Sequence, residues 1–397
     1  MRNPTSKYLA SPLLPFVIGL LIMSACTVSE SDSNKNDART TAAQNSQPVS
    51  AMPSVDVTTN FAEEDTVPAM DTVTGTMTGT AAVTDTAAAL ASITPQKTAA
   101  IPASFPQTPP KAGPATLQLQ ILLDRSNFSP GVLTGVWDDN ARHALTWFRV
   151  ARGMDSTATV DGATYDQLKS SAGNSPLVTQ YTLTDADAKG PFVTIPSNVY
   201  QKAKLNCLCY QSVGEEMSER FHSSPALLRR LNPNVDLKTL KAGSTLWVPN
   251  VARDTAAPPP FTTARIVISK TDFWTHAIDS SGKVVAHYPS TLGNSYDPSP
   301  TGDFSVASIT KMPAFHYQPT LFHEVPDSKP EAHLPKGPNS PVGVVWMALS
   351  KEHYGIHGTE NPATIGVTQS HGCVRLTNWD ASTLSGTVRP GVPVTFQ

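Results

Sequence analysis

Charge is scarce in this chain. Of 397 residues, 29 are Lys or Arg and 32 are Asp or Glu, a formal net charge of −3. With no basic surplus there is no electrostatic case for nucleic acid as a partner. The longest apolar run, through Leu13, Leu14, Phe16, Val17, Ile18, Leu20, Leu21, Ile22 and Met23, is short for a membrane span. The scattered histidines, His287, His316, His323, His333 and His353 among them, lack the short fixed spacings of metal ligands, so no metal and no cofactor is expected. What the chain has instead is length for two or three domains, and 35 prolines concentrated around 95–114 and 257–260, where tethers and hinges are expected.

Arg2 and Lys7 ahead of the apolar run make an export signal, which ends in Met23-Ser24-Ala25-Cys26. This segment, 1–26, resembles a bacterial lipoprotein signal, in which the cysteine is lipidated and becomes the mature N-terminus; a plain secretory signal is the alternative. Thr27 stands where an inner-membrane protein would carry aspartate, so the resemblance implies a lipid anchor at Cys26 in the outer membrane, facing the periplasm. Residues 27–113, rich in Thr, Ala, Ser, Pro and Asp, are expected to be a disordered tether spanning roughly 50 Å. Removing Cys26 leaves three cysteines, an odd number for an oxidising compartment. A pairing of Cys207 with Cys209 would close a very small ring, so both are expected as free structural thiols.

The fold class expected is multidomain. Leu119, Leu122 and Leu123 share one helix face, and Ala141, Ala144, Leu145 and Phe148 share another after the start signal Asp138-Asp139. Residues 115–172, with Leu119-Gln-Ile-Leu-Leu123, Gly135-Val-Trp137 and Ala144-Leu-Thr-Trp-Phe148, resemble the small α-helical peptidoglycan-binding module; a generic helical unit is the plainer reading. A small α+β unit at 205–250 has Val213, Met217 and Phe221 on one helix face, Leu227, Leu228 and Leu231 on another, and the strand Leu246-Trp-Val-Pro249. Its order resembles a LysM glycan-binding module, although Gln211-Ser-Val-Gly214 replaces the usual Gly-Asp-Thr-Leu opening, and a spacer that docks the last domain fits equally well. Residues 262–397 read as β-rich, a sandwich or barrel, from the runs Arg265–Ser269, Val284–Tyr288, Phe304–Ile309, Val344–Ala348 and Val392–Phe396. The proline-studded stretch 311–340 is expected to be an irregular insertion, a lid or acceptor rim.

Chemistry concentrates in Tyr354-Gly-Ile-His357-Gly-Thr359 and Ser370-His371-Gly372-Cys373-Val374-Arg375-Leu376. A thiol attacks only as thiolate, so it needs an imidazole within reach and a cation or donors nearby. His357 or His371 can supply the imidazole. If 371–375 is extended, His371, Cys373 and Arg375 share one strand face. Gly372 admits a substrate carbonyl to the backbone, where the Cys373 amide can donate to an oxyanion. No carboxylate is close in sequence, so a backbone carbonyl or Ser370 is left to orient the imidazole. Trp346 reads as core or cleft wall.

These motifs, with Pro300-Thr-Gly-Asp-Phe304 ahead of them, resemble the catalytic domain of YkuD-type L,D-transpeptidases over about 262–397. The resemblance implies a cysteine acyltransferase of peptidoglycan: Cys373 is acylated by a stem peptide with loss of terminal D-alanine, and an amine resolves the thioester. It further implies His357 as base, Ser370, His371 and Gly372 as oxyanion support, and Arg375 as a contact for substrate carboxylate. Expected partners are peptidoglycan stem peptides and glycan, with an envelope lipoprotein as a further acceptor. Resolution by water, giving a carboxypeptidase or wall hydrolase, and a non-catalytic wall-binding lipoprotein are the alternatives.

Overall fold

The computed structural model describes residues 80–251 and 261–397. The 1–26 signal with Cys26, residues 27–79 of the expected tether, and the Pro258-Pro259-Pro260 hinge lie outside the described residues. From residue 80 the chain is not a tether. Helices α1 (Thr80–Ala91) and α2 (Pro95–Thr98) precede Gly113, and Ile93, 1% exposed, joins a core with Leu117 and Leu133. Alanines give little periodic hydrophobic signal yet are the best helix formers, which is why burial pattern alone misses this stretch. Gln118 Nε2 donates to the carbonyls of Lys97, Thr98 and Ala100 at 3.3, 3.3 and 2.9 Å, tying the segment down.

Helices α3 (Pro114–Arg125), α4 (Asp139–Val150) and α5 (Gly162–Ala172) form the expected helical unit. Asp138 caps α4 by accepting from the Ala141 amide at 2.8 Å, satisfying a donor the helix cannot. Both predicted apolar faces, Leu119, Leu122 and Leu123 on α3 and Ala141, Ala144, Leu145 and Phe148 on α4, are completely buried. Each fully buried leucine contributes about 1.5–3 kcal/mol.

Strand β1 (Val178–Thr182), short helices α6 (Asp185–Lys189) and α7 (Val199–Lys202), helices α8 (Val213–Arg220) and α9 (Pro225–Leu231), and strand β2 (Thr245–Pro249) follow. β1 pairs antiparallel with β2, from Val178 opposite Pro249 to Thr182 opposite Thr245. Leu183, Val213, Met217, Phe221, Leu228, Leu246 and Val248 close a core of their own. The unit therefore opens at 178, upstream of the 205–250 span, because its first strand is separated from α8 by a 183–212 segment that no local pattern connects to it. Cys207 and Cys209 are joined in a disulfide, not free: their Cα atoms lie 5.2 Å apart, less than two steps of extended chain, so a bend at the residue between them brings the pair within disulfide reach.

The last domain has β3 (Arg265–Ser269), β4 (Trp274–Ile278), β5 (Val284–Pro289), β6 (Gly302–Lys311), β7 (Phe315–Tyr317), β8 (Ala332–Leu334), β9 (Val345–Leu349), β10 (Gly355–His357), β11 (Val374–Arg375), helix α10 (Asn378–Thr387) and β12 (Pro393–Phe396). Eight strands form one curled sheet in the order β11-β10-β9-β6-β12-β3-β4-β5, an open half-barrel and not two stacked sheets. Only β10–β11 and β12–β3 are parallel. Ile266, Ile268, Ala286, Met347, Ile356, Val374, Leu384 and Val394 form its core. The 311–340 stretch is not wholly irregular: β7 and β8 make a hairpin. It rests on the 195–208 segment, where Leu208 packs with Ala332 and Leu334 and the Leu208 amide donates to the Lys336 carbonyl at 3.0 Å.

The units are welded together. Trp147 of α4 meets Trp274 and His276 of β4 with ring centroids at 5.0 and 4.4 Å, and the His222 ring stacks on Trp379 of α10 at 4.8 Å.

Candidate active site

Two strand ends bring the motifs together. β10 runs parallel to β11 with Ile356 opposite Val374 and His357 opposite Arg375. Residues level with each other on neighbouring strands point to the same face, so His357 and Arg375 share a face, and Cys373, immediately before β11, stands at its entrance. The His357 ring is buried, its Nδ1 donates to the Gly358 carbonyl at 2.6 Å, and it stacks on Trp346 at 5.3 Å. A carbonyl only accepts, so Nδ1 carries the proton and Nε2 keeps its lone pair. The open question of what orients the imidazole is thus answered by a backbone carbonyl.

Burial, aided by the Arg375 charge and opposed by the Gly358 carbonyl, lowers the His357 pKa to about 3. Burial pushes the Cys373 thiol up, against the Gly355 backbone and Arg375. Both effects favour a neutral thiol beside a neutral imidazole. The thiol hydrogen-bonds to the His353 carbonyl at 3.6 Å and makes no hydrogen bond to His357; catalytic bonds of this kind often tighten only when substrate is bound. Burial lowers the Arg375 pKa too, against Cys373 and Glu360, and its Nε is buried without a hydrogen-bond partner. Glu360 itself bonds to Lys202 of α7 at 2.5 Å.

The turn before Cys373 is built by hydroxyls. Ser370 Oγ donates to the Cys373 carbonyl at 2.6 Å, and Ser299 Oγ donates to the Gly372 carbonyl at 2.8 Å while accepting from the Gly293 amide at 2.9 Å. Gly372 has φ +98°, a backbone region that favours glycine. That kink ends the alternation. The strand covers only residues 374 and 375, so His371 does not share a strand face with Cys373 and Arg375 as expected; its Nε2 instead meets Glu324 Oε1 at 2.7 Å.

Sequence reasoning missed Ser299 and Asn378. Asn378 Oδ1 accepts from the amides of Val344 and Thr359 at 3.2 and 3.1 Å, while its Nδ2 donates to Glu219 Oε1 of α8 at 2.7 Å. A Cβ on Gly358 would lie 2.2 Å from Asn378 Oδ1, which explains the glycine after His357. Ser299 had a signal, the turn it opens at Pro300-Thr-Gly. Asn378 had none beyond its place at a helix start.

Residues 263–395 match the family model for the YkuD L,D-transpeptidase catalytic domain. The chain is 30% identical over 176 residues to the Bacillus subtilis (strain 168) protein named "Putative L,D-transpeptidase YkuD", covering 44% of this chain and 88% of that one. It is 27% identical over 182 residues to the protein of the same name from Bacillus licheniformis, covering 46% and 92%. On the strength of that shared catalytic domain, the chain belongs to the YkuD-type L,D-transpeptidase family.

Proposed function

We propose that the protein forms peptidoglycan cross-links by L,D-transpeptidation through a thioester on Cys373. The observation that carries this reading is the parallel β10–β11 pairing, which sets an imidazole with a fixed tautomer beside the strand that the cysteine enters. His357 Nε2 takes the thiol proton as sulfur attacks the L-centre carbonyl of a stem-peptide diamino acid. The oxyanion lies against the amides of Gly372 and Cys373, in a turn held by Ser370 and Ser299. The C–N bond to terminal D-alanine then breaks, and the imidazolium protonates the departing amine. An acceptor amine attacks the thioester, returns its proton through His357, and frees the thiol. Arg375, with its buried unpartnered Nε, contacts a substrate carboxylate.

The helical unit and the β1–β2 unit bring this domain to peptidoglycan glycan, and a lipid on Cys26 holds the chain at the outer membrane facing the periplasm. The weld of Glu219 to Asn378 supports a docking role for the second unit whether or not it also binds sugar. Incubation with disaccharide-tetrapeptides tests the chemistry: cross-linked dimers are expected, while shortened monomers alone would replace transfer with hydrolysis. Intact mass of the mature chain tests the anchor, since a diacylglycerol on Cys26 is expected and an unmodified N-terminus overturns it.

A further inference from the structure

Four side chains with metal-ligand chemistry converge beside the nucleophile from segments remote in sequence: Asp297 after β5, His323 and Glu324 between β7 and β8, and His371 in the turn before Cys373. Donor atoms of Asp297, Glu324 and His371 all lie within 4.8 Å of one another. His323 Nδ1 is 2.8 Å from Asp297 Oδ2 and 3.2 Å from Glu324 Oε2, and His371 Nε2 is 2.7 Å from Glu324 Oε1. Glu324 thus lies between two imidazoles. Both rings are held in place, His323 stacked on Tyr296 at 4.6 Å and His371 against the edge of Phe322 at 4.8 Å.

We propose that this cluster is a Zn2+ site tying the loop between β7 and β8 to the turn that carries Cys373. Two imidazole nitrogens and two carboxylate oxygens are a donor set suited to Zn2+, whereas Mg2+ and Ca2+ favour oxygen ligands throughout. Donors on a tetrahedral Zn2+ with bonds of about 2.0–2.1 Å stand about 3.4 Å apart. The spacings among Asp297, Glu324 and His371, from 2.7 Å to within 4.8 Å, bracket that value, while His323, at 2.8 and 3.2 Å from the two carboxylates but with its ring centroid 6.4 Å from that of His371, swings inward to complete the set. Among the described residues neither Asp297 nor Glu324 pairs with a lysine or arginine, which leaves two adjacent carboxylates without a fixed cation. His323 and Glu324, 39% and 48% exposed, provide the route in. The thiol is not part of the set, since it turns to the His353 carbonyl.

The test is a titration of metal-stripped full-length protein with Co2+, followed by displacement with Zn2+. The Cys373→Ser protein should bind one equivalent, with visible bands of four-coordinate Co2+ and no sulfur charge-transfer band. His323→Asn and Glu324→Gln, checked by circular dichroism for an intact fold, should each weaken binding at least tenfold, and Asp297→Asn serves as a further variant should either lose its fold. Binding lost in Cys373→Ser but unchanged in the cluster variants would place the ion on the thiol and overturn the site, as would no stoichiometric binding. Because the readout is metal occupancy and not turnover, its failure is separate from any failure of the transpeptidase reading.

Discussion

Two histidines precede Cys373 in sequence, and the fold gives them opposite surroundings. His357 ends a paired strand, is buried against Trp346, and has its Nδ1 fixed by a carbonyl one residue away. His371 sits in a kinked turn, is partly exposed, and is held from outside by Glu324 on a separate loop. A strand end fixes the tautomer and buries the ring, as the proposed base requires; the turn leaves its imidazole to reach a carboxylate on another loop. Proximity to cysteine in sequence therefore does not decide which imidazole has the surroundings of a base.

The sharpest way to break this contrast is to exchange the side chains for amides. His357→Gln should slow acylation of Cys373 by about 10²–10⁴-fold, the range for a lost general base, whereas His371→Gln should cost about tenfold or less, both read from single-turnover adduct formation. Equal losses would make His371 an equal partner in the proton transfer. The pH profile sharpens it further. With the imidazole lowered to about 3 and the thiol pushed up, no thiolate–imidazolium pair exists at rest, so alkylation of Cys373 by iodoacetamide should climb about tenfold per pH unit from pH 6 to 8. A plateau reaching down to acid pH would reveal an ion pair.

Next in size are effects on stability where the units meet. Asn378→Ala strands the buried amide of Thr359 and the half-buried amide of Val344 and should cost about 1–3 kcal/mol in chemical unfolding, more than the same change at exposed Asn361. Asp380, buried and hydrogen-bonded to Ser129, is raised to about 7 by burial and by the charge of Asp124, against His222, Ser129 and Thr377. A carboxyl whose folded pKa lies above its unfolded value gives stability that is complete below the unfolded value, 3.8, and lost as pH rises toward 7. Asp380→Asn should therefore flatten that fall, by on the order of 4 kcal/mol between pH 4 and 8. An unchanged pH slope would place the titration elsewhere.

Much of this was legible because it is local. The apolar faces of α3 and α4, five of the sheet strands and the His357 and Cys373 motifs each lie within a few consecutive residues, where periodicity and neighbour chemistry suffice. β4 was missed because it is buried along its whole length, which erases alternation, and β10 because three residues carry no pattern. The remainder depends on long-range closure. β1 finds β2 across 63 residues from its end to the partner's start, Asn378 finds Glu219 across two units, and the ligand cluster of Asp297, His323, Glu324 and His371 exists only after three loops meet. The Cys207–Cys209 pairing has another reason: ring size is legible in the sequence, but not the backbone bend that brings the two Cα atoms to 5.2 Å.

The measurement that bears most directly on the account is intact-mass and peptide mapping of the wild-type protein, beside Cys373→Ala, after brief exposure to a disaccharide-tetrapeptide. A thioester adduct confined to Cys373, formed with one equivalent of D-alanine released and absent from the variant, is the predicted result. An adduct on another residue, or D-alanine released equally by Cys373→Ala, would contradict it.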